Sequence, residues 1–413
     1  MRILFIVPYI PSLIRVRPYN FLRVLASRGH EITLVALQPP GEPSDTLPQL
    51  REWCQSVYTI PHTRSQILRN GLAGLLTDMP FQAVYSRSPR LTQSLQAVLA
   101  RERFDLAHVE HLRGVALAQS LGDLPVVFDS VDSIALLFEK VLKDAPGWKS
   151  RLMSMLDLGR TRRFEGTLTR RFQHVIVTSA IDRKMLVQLG SDGERITVVP
   201  NGVDLEYFQP MSVERDPRTI VFTGKMSYHA NIAAVTDLVE QVMPQVWTQQ
   251  PDVRLQIVGK DPSPAVRAFG EHPNILVTGY VPDLRPYLAQ AALAVSTVRY
   301  GVGIQNKVLE AMAMATPVVC SPQASSALQA VDGRDLLIGD GPAAIARRIL
   351  DLLASPEKRE AIGAAGRRYV EDCQSWEKTA ALLEDVYVKT LGQHSRETTI
   401  TGVQEHERAS TES

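Results

Sequence analysis

The sequence predicts an α/β protein made of two doubly wound, Rossmann-like halves. Short apolar segments of strand length alternate with helical segments from the first residues onward, which is the pattern of parallel sheets covered by helices. The alternation pauses near Asn201 and resumes at Thr219, so the second half repeats the architecture of the first. A length of 413 residues suits two domains of ordinary size.

The composition is that of a globular protein, with 45% hydrophobic residues, 22% charged residues and a formal net charge of +1. A charge this close to zero gives no support to a nucleic acid partner. The three cysteines, Cys54, Cys320 and Cys373, are too far apart for a metal motif or a disulfide framework, so a reducing cytoplasm is expected. No apolar run has the length of a membrane span, so any membrane contact is expected to be peripheral.

In the first half, Pro8 ends the first strand and Gly29 caps the first helix. The predicted strands are residues 3–7, 31–37, 57–60, 105–109, 126–128, 174–179 and 196–199, and the predicted helices are residues 18–28, 65–76, 91–101, 148–172 and a helix that ends at Leu189. Residues 38–48 are expected to form a proline-rich loop.

Two of these helices have more than one interpretation. Residues 65–76 carry a broad apolar face, which suits either a helix that faces the core or a surface that meets a lipid-linked acceptor. Residues 148–172 hold seven basic residues against two acids, Asp157 and Glu165. That excess suits either a solvated face or attraction to anionic lipid headgroups.

Polar residues follow two strands of the first half at their carboxyl ends. His108, Glu110 and His111 close one strand, and Asp129 and Asp132 follow another. Ligands bind at this edge of an open α/β sheet, so these residues are candidates for proton handling or for binding acceptor hydroxyls. For each residue alone, a role in a cap or turn is an equally good interpretation.

The second half is predicted to begin after a hinge near Asn201 and a linker over residues 205–218. Gly224 and Lys225 follow the first strand, and Asn231 is expected to cap the next helix. The predicted strands are residues 219–223, 253–258, 275–278 and 293–298, and the predicted helices are 232–242, 306–314, 343–353, 356–370 and 376–390. The loop 279–283 is a candidate to hold a flat base. The polar segment 392–413 is expected to be a disordered tail.

The segment from Gly301 to Val319 organises the second half, because it reads as a glycine loop, a helix and a strand. A glycine loop that leads into a helix places free N–H groups and the positive end of a dipole at one point, which suits a phosphate. Lys307 adds a charge there, and Glu310 lies on the same helical face, where it can accept ribose hydroxyls. The segment therefore predicts a nucleotide-sugar site, with an ordinary capped helix as the alternative.

An ordered set of short motifs resembles one family. The runs are RGHEITLV (28–35), DLAHV (105–109), VVPNGVD (198–204), GYVPD (279–283), EAMA (310–313) and TPVV (316–319). The chain resembles the retaining glycosyltransferases of family 4, the group 1 transferases of GT-B fold, over residues 1–390. The run GIQNKVLEAMAM (303–314) resembles a subgroup from exosortase-associated exopolysaccharide clusters, although Ala315 stands where that subgroup has glycine.

This resemblance implies two facing Rossmann-like domains with a cleft between them. Residues 1–203 would bind the acceptor, residues 204–391 would bind a nucleotide-diphosphate sugar, and the last helix would pack back on the first domain. The implied substrates are a UDP- or GDP-sugar and a saccharide or lipid-linked hydroxyl acceptor, with no metal and no tightly bound cofactor. The implied setting is exopolysaccharide or glycolipid synthesis in the cytoplasm, either in solution or at the inner face of the plasma membrane.

The resemblance and the residue patterns together give the candidate site. The donor-binding candidates are Gly224, Lys225, Gly259, Val281, Gly303, Ile304, Gln305, Asn306, Lys307 and Glu310. The acceptor-side candidates are Arg17, His108, His111, Asp129 and Asp132. The catalytic candidates are Lys225, Lys307, Glu310, His111 and Glu110.

Three positions depart from the family pattern. Val302 replaces the first glutamate of the family's glutamate pair, and the second diphosphate lysine falls near His229, which leaves Lys307 as its substitute. The glycine pair after the first strand is replaced by a segment with Arg17, a candidate for a phosphate role. An epimerase or hydrolase of the same fold and a non-catalytic sugar-nucleotide binder are the alternative functions.

Overall fold

A computed structural model of the chain describes residues 1–144, 148–300 and 303–411; within these ranges, the side chains of residues 144, 148–150 and 395–411 are not described. The chain divides into two compact units. Unit 1 comprises Met1–Phe138, Leu152–Val199 and Thr379–Ser413, and unit 2 comprises Glu139–Arg151 and Pro200–Lys378. No described helix combines the length and the apolar content that crossing a membrane requires.

Unit 1 is built on a sheet of seven parallel strands in the order β3-β2-β1-β4-β5-β6-β7. The strands are β1 (Arg2–Val7), β2 (Glu31–Gln38), β3 (Ser56–Pro61), β4 (Leu106–Glu110), β5 (Val126–Val131), β6 (His174–Val177) and β7 (Ile196–Val198). The strand order reverses between β1 and β4, so the carboxyl ends of these two strands flank the crevice where ligands bind in such sheets. Residues Ile3–Val7 are all buried, as expected of a parallel strand that is covered on both faces.

Helices cover this sheet. They are α1 (Val16–Ser27), α2 (Leu47–Trp53), α3 (Arg64–Leu75), α4 (Phe81–Tyr85), α5 (Pro89–Arg101), α6 (Val115–Ala118), α7 (Ile134–Asp144), α8 (Trp148–Glu165), α9 (Leu168–Arg171) and α10 (Ala180–Gln188). The prediction of a single helix over residues 148–172 is wrong, because α8 ends at Glu165 and a separate helix, α9, begins at Leu168. A Cβ on Gly166 would lie 2.1 Å from the carbonyl oxygen of Leu189, so the backbone turns there at close quarters.

Unit 2 repeats the plan with six parallel strands in the order β10-β9-β8-β11-β12-β13. The strands are β8 (Asp216–Thr223), β9 (Arg254–Val258), β10 (Ile275–Gly279), β11 (Ala291–Ser296), β12 (Val318–Cys320) and β13 (Leu337–Ile338). The helices are α11 (His229–Asp237), α12 (Met243–Gln249), α13 (Pro264–Ala268), α14 (Arg285–Gln290), α15 (Asn306–Ala313), α16 (Pro322–Ser325), α17 (Pro342–Ala354) and α18 (Pro356–Cys373). The last helix, α19 (Trp376–Thr411), begins in unit 2 and belongs to unit 1 from Thr379 onward. In the sheet of unit 2 the order reverses between β8 and β11.

The C-terminal segment differs from its prediction. Helix α19 continues to Thr411, through the segment that the sequence predicts to be a disordered tail. The segment contains no proline, and extending an existing helix is far less costly than nucleating a new one. A polar composition alone therefore does not end this helix.

Candidate active site

The switch point of unit 2 brings together the two loops that the sequence singles out. Gly224 and Lys225 follow β8, and the loop that leads into α15 follows β11, the neighbouring strand. Lys307 lies in the first turn of α15, as predicted, with Glu310 one turn further on. The first two residues of the predicted glycine loop, Gly301 and Val302, lie outside the described residues.

Two glycines allow the loops after β8 and β9 to touch. Gly224 and Gly259 both have φ of 150°, a conformation that L side chains rarely adopt. The N–H of Gly224 donates to the carbonyl of Val258 at 3.0 Å, and a Cβ on Gly259 would lie 1.7 Å from the carbonyl oxygen of Gly224. Gly259, predicted as a donor-binding residue, is thus required here for backbone contact.

Lys307 is held beneath Gly224. Its Nζ donates a hydrogen bond to Oδ1 of Asn231 and lies 4.6 Å from the centre of the Phe222 ring. A Cβ on Gly224 would come within 3.2 Å of this Nζ and within 2.8 Å of the Asn231 amide, so glycine leaves room for both. Burial lowers the pKa of Lys307 to about 8, against the opposing pull of Glu310.

Glu310 is the acidic partner of this site. Burial raises its pKa to about 7, although Lys307 acts in the opposite direction. Its carboxylate makes no hydrogen bond to any residue in the part of the chain that the structure describes. A carboxylate in this state has its acceptor capacity available for hydroxyl groups of a ligand.

Asn231 holds Lys307 and the Lys225 loop, a role that its place in the sequence does not indicate. The predicted N-cap at Asn231 is wrong, because α11 starts at His229 and Tyr228 occupies the cap position. The amide of Asn231 instead donates to the carbonyl of Lys225 at 2.9 Å and accepts from Lys307. A short polar residue three positions into a helix-like run gives no sequence signal that distinguishes these two roles.

The other predicted donor residues lie around this centre. Lys225 is exposed, Gly303 has φ of 70°, and Ile304 is buried in the apolar core of the unit. Gln305 precedes α15 without a side-chain cap bond, so the first N–H groups of the helix have no cap from that side chain. Asn306 accepts a hydrogen bond from the Asn201 amide. Val281 is partly buried and packs against the apolar core of the unit.

The switch point of unit 1 contains a buried carboxylate. Glu110 ends β4, and one of its oxygens accepts a hydrogen bond from the Tyr9 hydroxyl, which follows β1. Its other oxygen, Oε2, has no hydrogen-bond partner among the described residues. Burial first, and then the negative charge of Asp129, raise the pKa of Glu110 to about 8.

A second group of buried residues surrounds Asp129, which lies opposite Glu110 on the neighbouring strand β5. The Arg17 Nε donates to Asp129 at 2.6 Å, and His108 lies beside the same carboxylate, stacked on Phe5 with ring centroids 4.1 Å apart. Burial raises the pKa of Asp129, but Arg17 and the neighbouring His108 ring outweigh it and hold the pKa below its ordinary value. Arg17 is almost fully buried in this ion pair, so its predicted phosphate role remains a prediction.

His111 and Asp132 lie at the carboxyl ends of the same strands. His111 has φ of 65°, and such strain in a non-glycine residue is typical of functional sites. Burial, together with Arg113 and Arg15, lowers the pKa of His111 to about 3. Its Nδ1 accepts from the Arg113 N–H at 3.2 Å, which leaves Nε2 carrying the proton and able to donate. Burial and Asp182 raise the pKa of Asp132 to about 7.

Both parts of the chain match known family models. Residues 15–207 match glycosyltransferase family 4, and residues 217–355 match the glycosyl transferases of group 1. The chain is a GT-B glycosyltransferase of family 4 and group 1. The predicted α/β fold with two Rossmann-like domains is confirmed.

Individual relatives agree with this family. An MMP alpha-(1->4)-mannosyltransferase of Mycolicibacterium hassiacum is 27% identical over 402 residues, 89% of this chain and 92% of that protein. A D-inositol 3-phosphate glycosyltransferase of Segniliparus rotundus is 25% identical over 238 residues, 52% of each chain. The chain spans about half the length of the first curated relatives it matches. The structure of Anabaena HepE in complex with UDP and glucose has a TM-score of 0.65 at 14% identity, covering 93% of this chain and 98% of that one.

The packing of Gly259 leads to a prediction about stability. Gly259→Ala should lower the free energy of unfolding by about 2–4 kcal/mol, because the new Cβ collides with the backbone of Gly224 and strains a positive φ. Gly270→Ala is the matched control, since its Cβ would meet Val277 at an ordinary 3.6 Å. Urea denaturation of both variants tests this, and equal stabilities would refute the role given to Gly259.

A second prediction concerns the buried Glu110. Its pKa of about 8 in the folded chain exceeds the ordinary 4.5, so its stabilising contribution is complete below about pH 4.5 and is lost as the pH rises through 8. Glu110→Gln should therefore be more stable than the wild type above about pH 8, by more than about 1 kcal/mol. Thermal unfolding measured across pH tests this, with the exposed Glu31→Gln as control. A wild type and Glu110→Gln variant with parallel pH profiles would contradict it.

Proposed function

We propose that the chain transfers a sugar from a nucleoside-diphosphate sugar to a hydroxyl acceptor with retention of the anomeric configuration. The observation that carries this proposal is the Lys307–Glu310 pair at the switch point of unit 2, in a chain of the glycosyltransferase families. One of these residues bears the charge that a diphosphate requires, and the other has free acceptor capacity for hydroxyls.

Unit 2 is the donor-binding unit in this proposal. Lys307, the exposed Lys225 and the N-terminal N–H groups of α15 bind the diphosphate, and Glu310 accepts the two ribose hydroxyls. The complex of HepE with UDP and glucose supports a UDP-sugar as the first donor to try, and a GDP-sugar is the second. The backbone of Gly303, Ile304 and Gln305 would contact the sugar and the phosphates.

Unit 1 is the acceptor-binding unit. The unpartnered oxygen of Glu110 and the Nε2–H of His111 offer hydrogen-bonding groups for sugar hydroxyls at the switch point of that sheet. Asp132 and the buried His108–Asp129–Arg17 group support the same edge. The acceptor is a saccharide or a lipid-linked saccharide of exopolysaccharide or glycolipid synthesis, and the reaction takes place in the cytoplasm.

The chemistry follows from where charge develops. Cleavage of the sugar–phosphate bond places negative charge on the leaving diphosphate and positive charge on the sugar ring. Lys225, Lys307 and the helix N-terminus stabilise the leaving group, and each preorganised contact of this kind is worth about 2.7–4 kcal/mol. The leaving phosphate oxygen accepts the proton of the attacking hydroxyl on the same face, so no side chain forms a covalent intermediate.

The proposal predicts sugar transfer that depends on both donor residues. The purified chain, incubated with labelled UDP- and GDP-sugars, should form product only when a saccharide or lipid-linked acceptor is added. Lys225→Ala and Glu310→Ala should each lower turnover by about 100-fold or more, since each removes a contact to the leaving group or the ribose. Lys184→Ala, an exposed lysine on α10, is the control and should retain full turnover.

Other outcomes of this experiment would replace the proposal. Isomerisation or hydrolysis of the donor without an acceptor would indicate an epimerase or hydrolase of the same fold. Binding of the donor without turnover would indicate a non-catalytic binder. Near-normal transfer by both variants would leave the activity in place but refute the residues assigned to it.

A further prediction concerns Asn231, which positions Lys307. Asn231→Ala should weaken donor binding by about tenfold, because it removes a hydrogen bond to a charged group and frees the Lys225 loop. Asn274→Ala is the matched control, since its amide also donates to a backbone carbonyl, that of Pro251, away from the site. Calorimetric titration with the donor distinguishes the two variants. Equal affinities, with both proteins folded, would contradict the positioning role.

A further inference from the structure

Helix α3 is turned with its apolar face towards solvent. Its leucines at positions 68, 72 and 75 are 66%, 59% and 58% exposed, and Leu76, directly after the helix, is 90% exposed. The face that packs inward carries Asn70 and Gly74 instead. The core-facing interpretation of this helix is therefore wrong, and its exposed leucines form a stripe along one side.

Specific contacts fix this orientation. The Asn70 amide donates to the carbonyls of Tyr85 and Arg87 at 2.9 and 2.7 Å. Gly74 packs so tightly that a Cβ there would lie 3.0 Å from Val84 and 3.1 Å from Phe81. The helix cannot rotate its leucines inward without breaking both hydrogen bonds and losing this fit, so their exposure is built into the fold.

Helix α8 has the same inverted character within unit 1. Its residues Met153, Met155 and Leu156 are 56%, 62% and 55% exposed, whereas Ser154 and Asp157 are buried. The Asp157 carboxylate accepts from the N–H of Phe81 at 3.1–3.2 Å, at the start of α4. A polar residue again faces inward and bonds to backbone, while large apolar residues face outward.

The two helices adjoin. The Arg160 guanidinium lies within 3.3–3.4 Å of the carbonyl oxygens of Gly74 and Leu75, at the end of α3. Leu156 lies one helical turn before Arg160 on the same side of α8. The exposed leucines of α3 and the exposed residues of α8 therefore lie on neighbouring helices, and we call them together the α3/α8 face.

The charge around the α3/α8 face is mainly positive, with one exposed acid beside it, Asp78, which pairs with Arg163 at 3.6 Å. Residues 64–76 contain two arginines, Arg64 and Arg69, and no acid. Residues 152–171 contain five arginines and two acids, Asp157 and Glu165, and both acids are buried. The exposed side chains of these two segments thus combine apolar groups with positive charge, which is the composition of surfaces that lie on anionic bilayers.

We propose that the α3/α8 face docks unit 1 onto a membrane that contains anionic lipids. The apolar side chains enter the boundary between headgroups and acyl chains, and the surrounding arginines pair with lipid phosphates. A second copy of the chain is a poorer occupant, because a two-fold contact through this face would bring arginines against arginines. The inference builds on the proposed transfer to a lipid-linked acceptor, but its test does not depend on that activity.

The test is co-sedimentation of the full chain with vesicles of phosphatidylcholine alone or mixed with phosphatidylglycerol. We expect binding to the anionic vesicles only. The triple variant Leu68→Gln, Leu72→Gln, Leu76→Gln should bind at least about tenfold more weakly, because it removes exposed apolar groups without touching the core. Arg64→Gln with Arg69→Gln should weaken binding by about fivefold per arginine, and added salt should reduce the difference.

Matched controls are Leu276→Gln and Val388→Gln, which alter apolar residues that are 51% and 62% exposed elsewhere on the chain. Both should bind vesicles like the wild type. Equal sedimentation of the wild type and the triple variant would overturn the proposal. The proposal would also be overturned if the wild type failed to bind the anionic vesicles. The same holds if light scattering showed a dimer for the wild type and a monomer for the triple variant.

Donor binding, followed by thermal shift with UDP, separates this proposal from the proposed function. A triple variant that binds UDP normally but not vesicles supports docking by the α3/α8 face whatever the reaction is. A wild type that binds anionic vesicles but no nucleotide would refute the donor site and leave the docking face intact.

Discussion

The burial of one lysine ammonium sets the geometry of unit 2. Lys307 is held between the Asn231 amide and the Phe222 ring, next to the neighbouring strands β8 and β11, between which the strand order reverses. Removing a charged group from water is unfavourable, and the lowered pKa of Lys307 reports this. The glycines at 224 and 259 are consequences of the same arrangement, since a side chain at either position would displace the loop or the lysine. A bound anion near Lys307 would further offset the unfavourable burial of its positive charge.

Unit 1 buries a group of the opposite charge type at its own point of strand-order reversal, between β1 and β4. There the buried group is a carboxylate, Glu110, and it has one hydroxyl partner, Tyr9, with its second oxygen unpartnered in the described residues. His111 and Val131 have positive φ at the ends of neighbouring strands, so the backbone is strained around the same edge. Each sheet therefore keeps an incompletely satisfied polar group where its strand order reverses. Structural needs alone do not favour such groups, and this is why both edges are candidates for ligand binding.

The sequence was informative about what is periodic and local, and much less about what depends on packing. Alternating strands and helices predicted both sheets, and the spacing of Lys307 and Glu310 predicted a pair on one helical face. The role of Asn231 was not predictable, because its partners Lys225 and Lys307 are 6 and 76 residues away in the chain. The break at Gly166 depends on a carbonyl from Leu189, which no local pattern contains. Ala315, where the subgroup has glycine, has φ of 51°, so the expected residue reflects a left-handed turn after α15.

Helix α3 shows how a correct periodicity can give the wrong burial. An apolar stripe identifies a face that avoids water, but it does not say whether protein or another medium covers it. In α3 and in α8 alike, an inward position is taken by a polar residue with backbone partners, Asn70 and Asp157 respectively, and large apolar residues remain outside. Orientation is therefore decided by which polar groups find hydrogen bonds, because an unsatisfied buried amide or carboxylate is more costly than an exposed leucine. An exposed apolar stripe that the fold enforces in this way, with arginines beside it, is the reason for proposing an anionic surface as its partner.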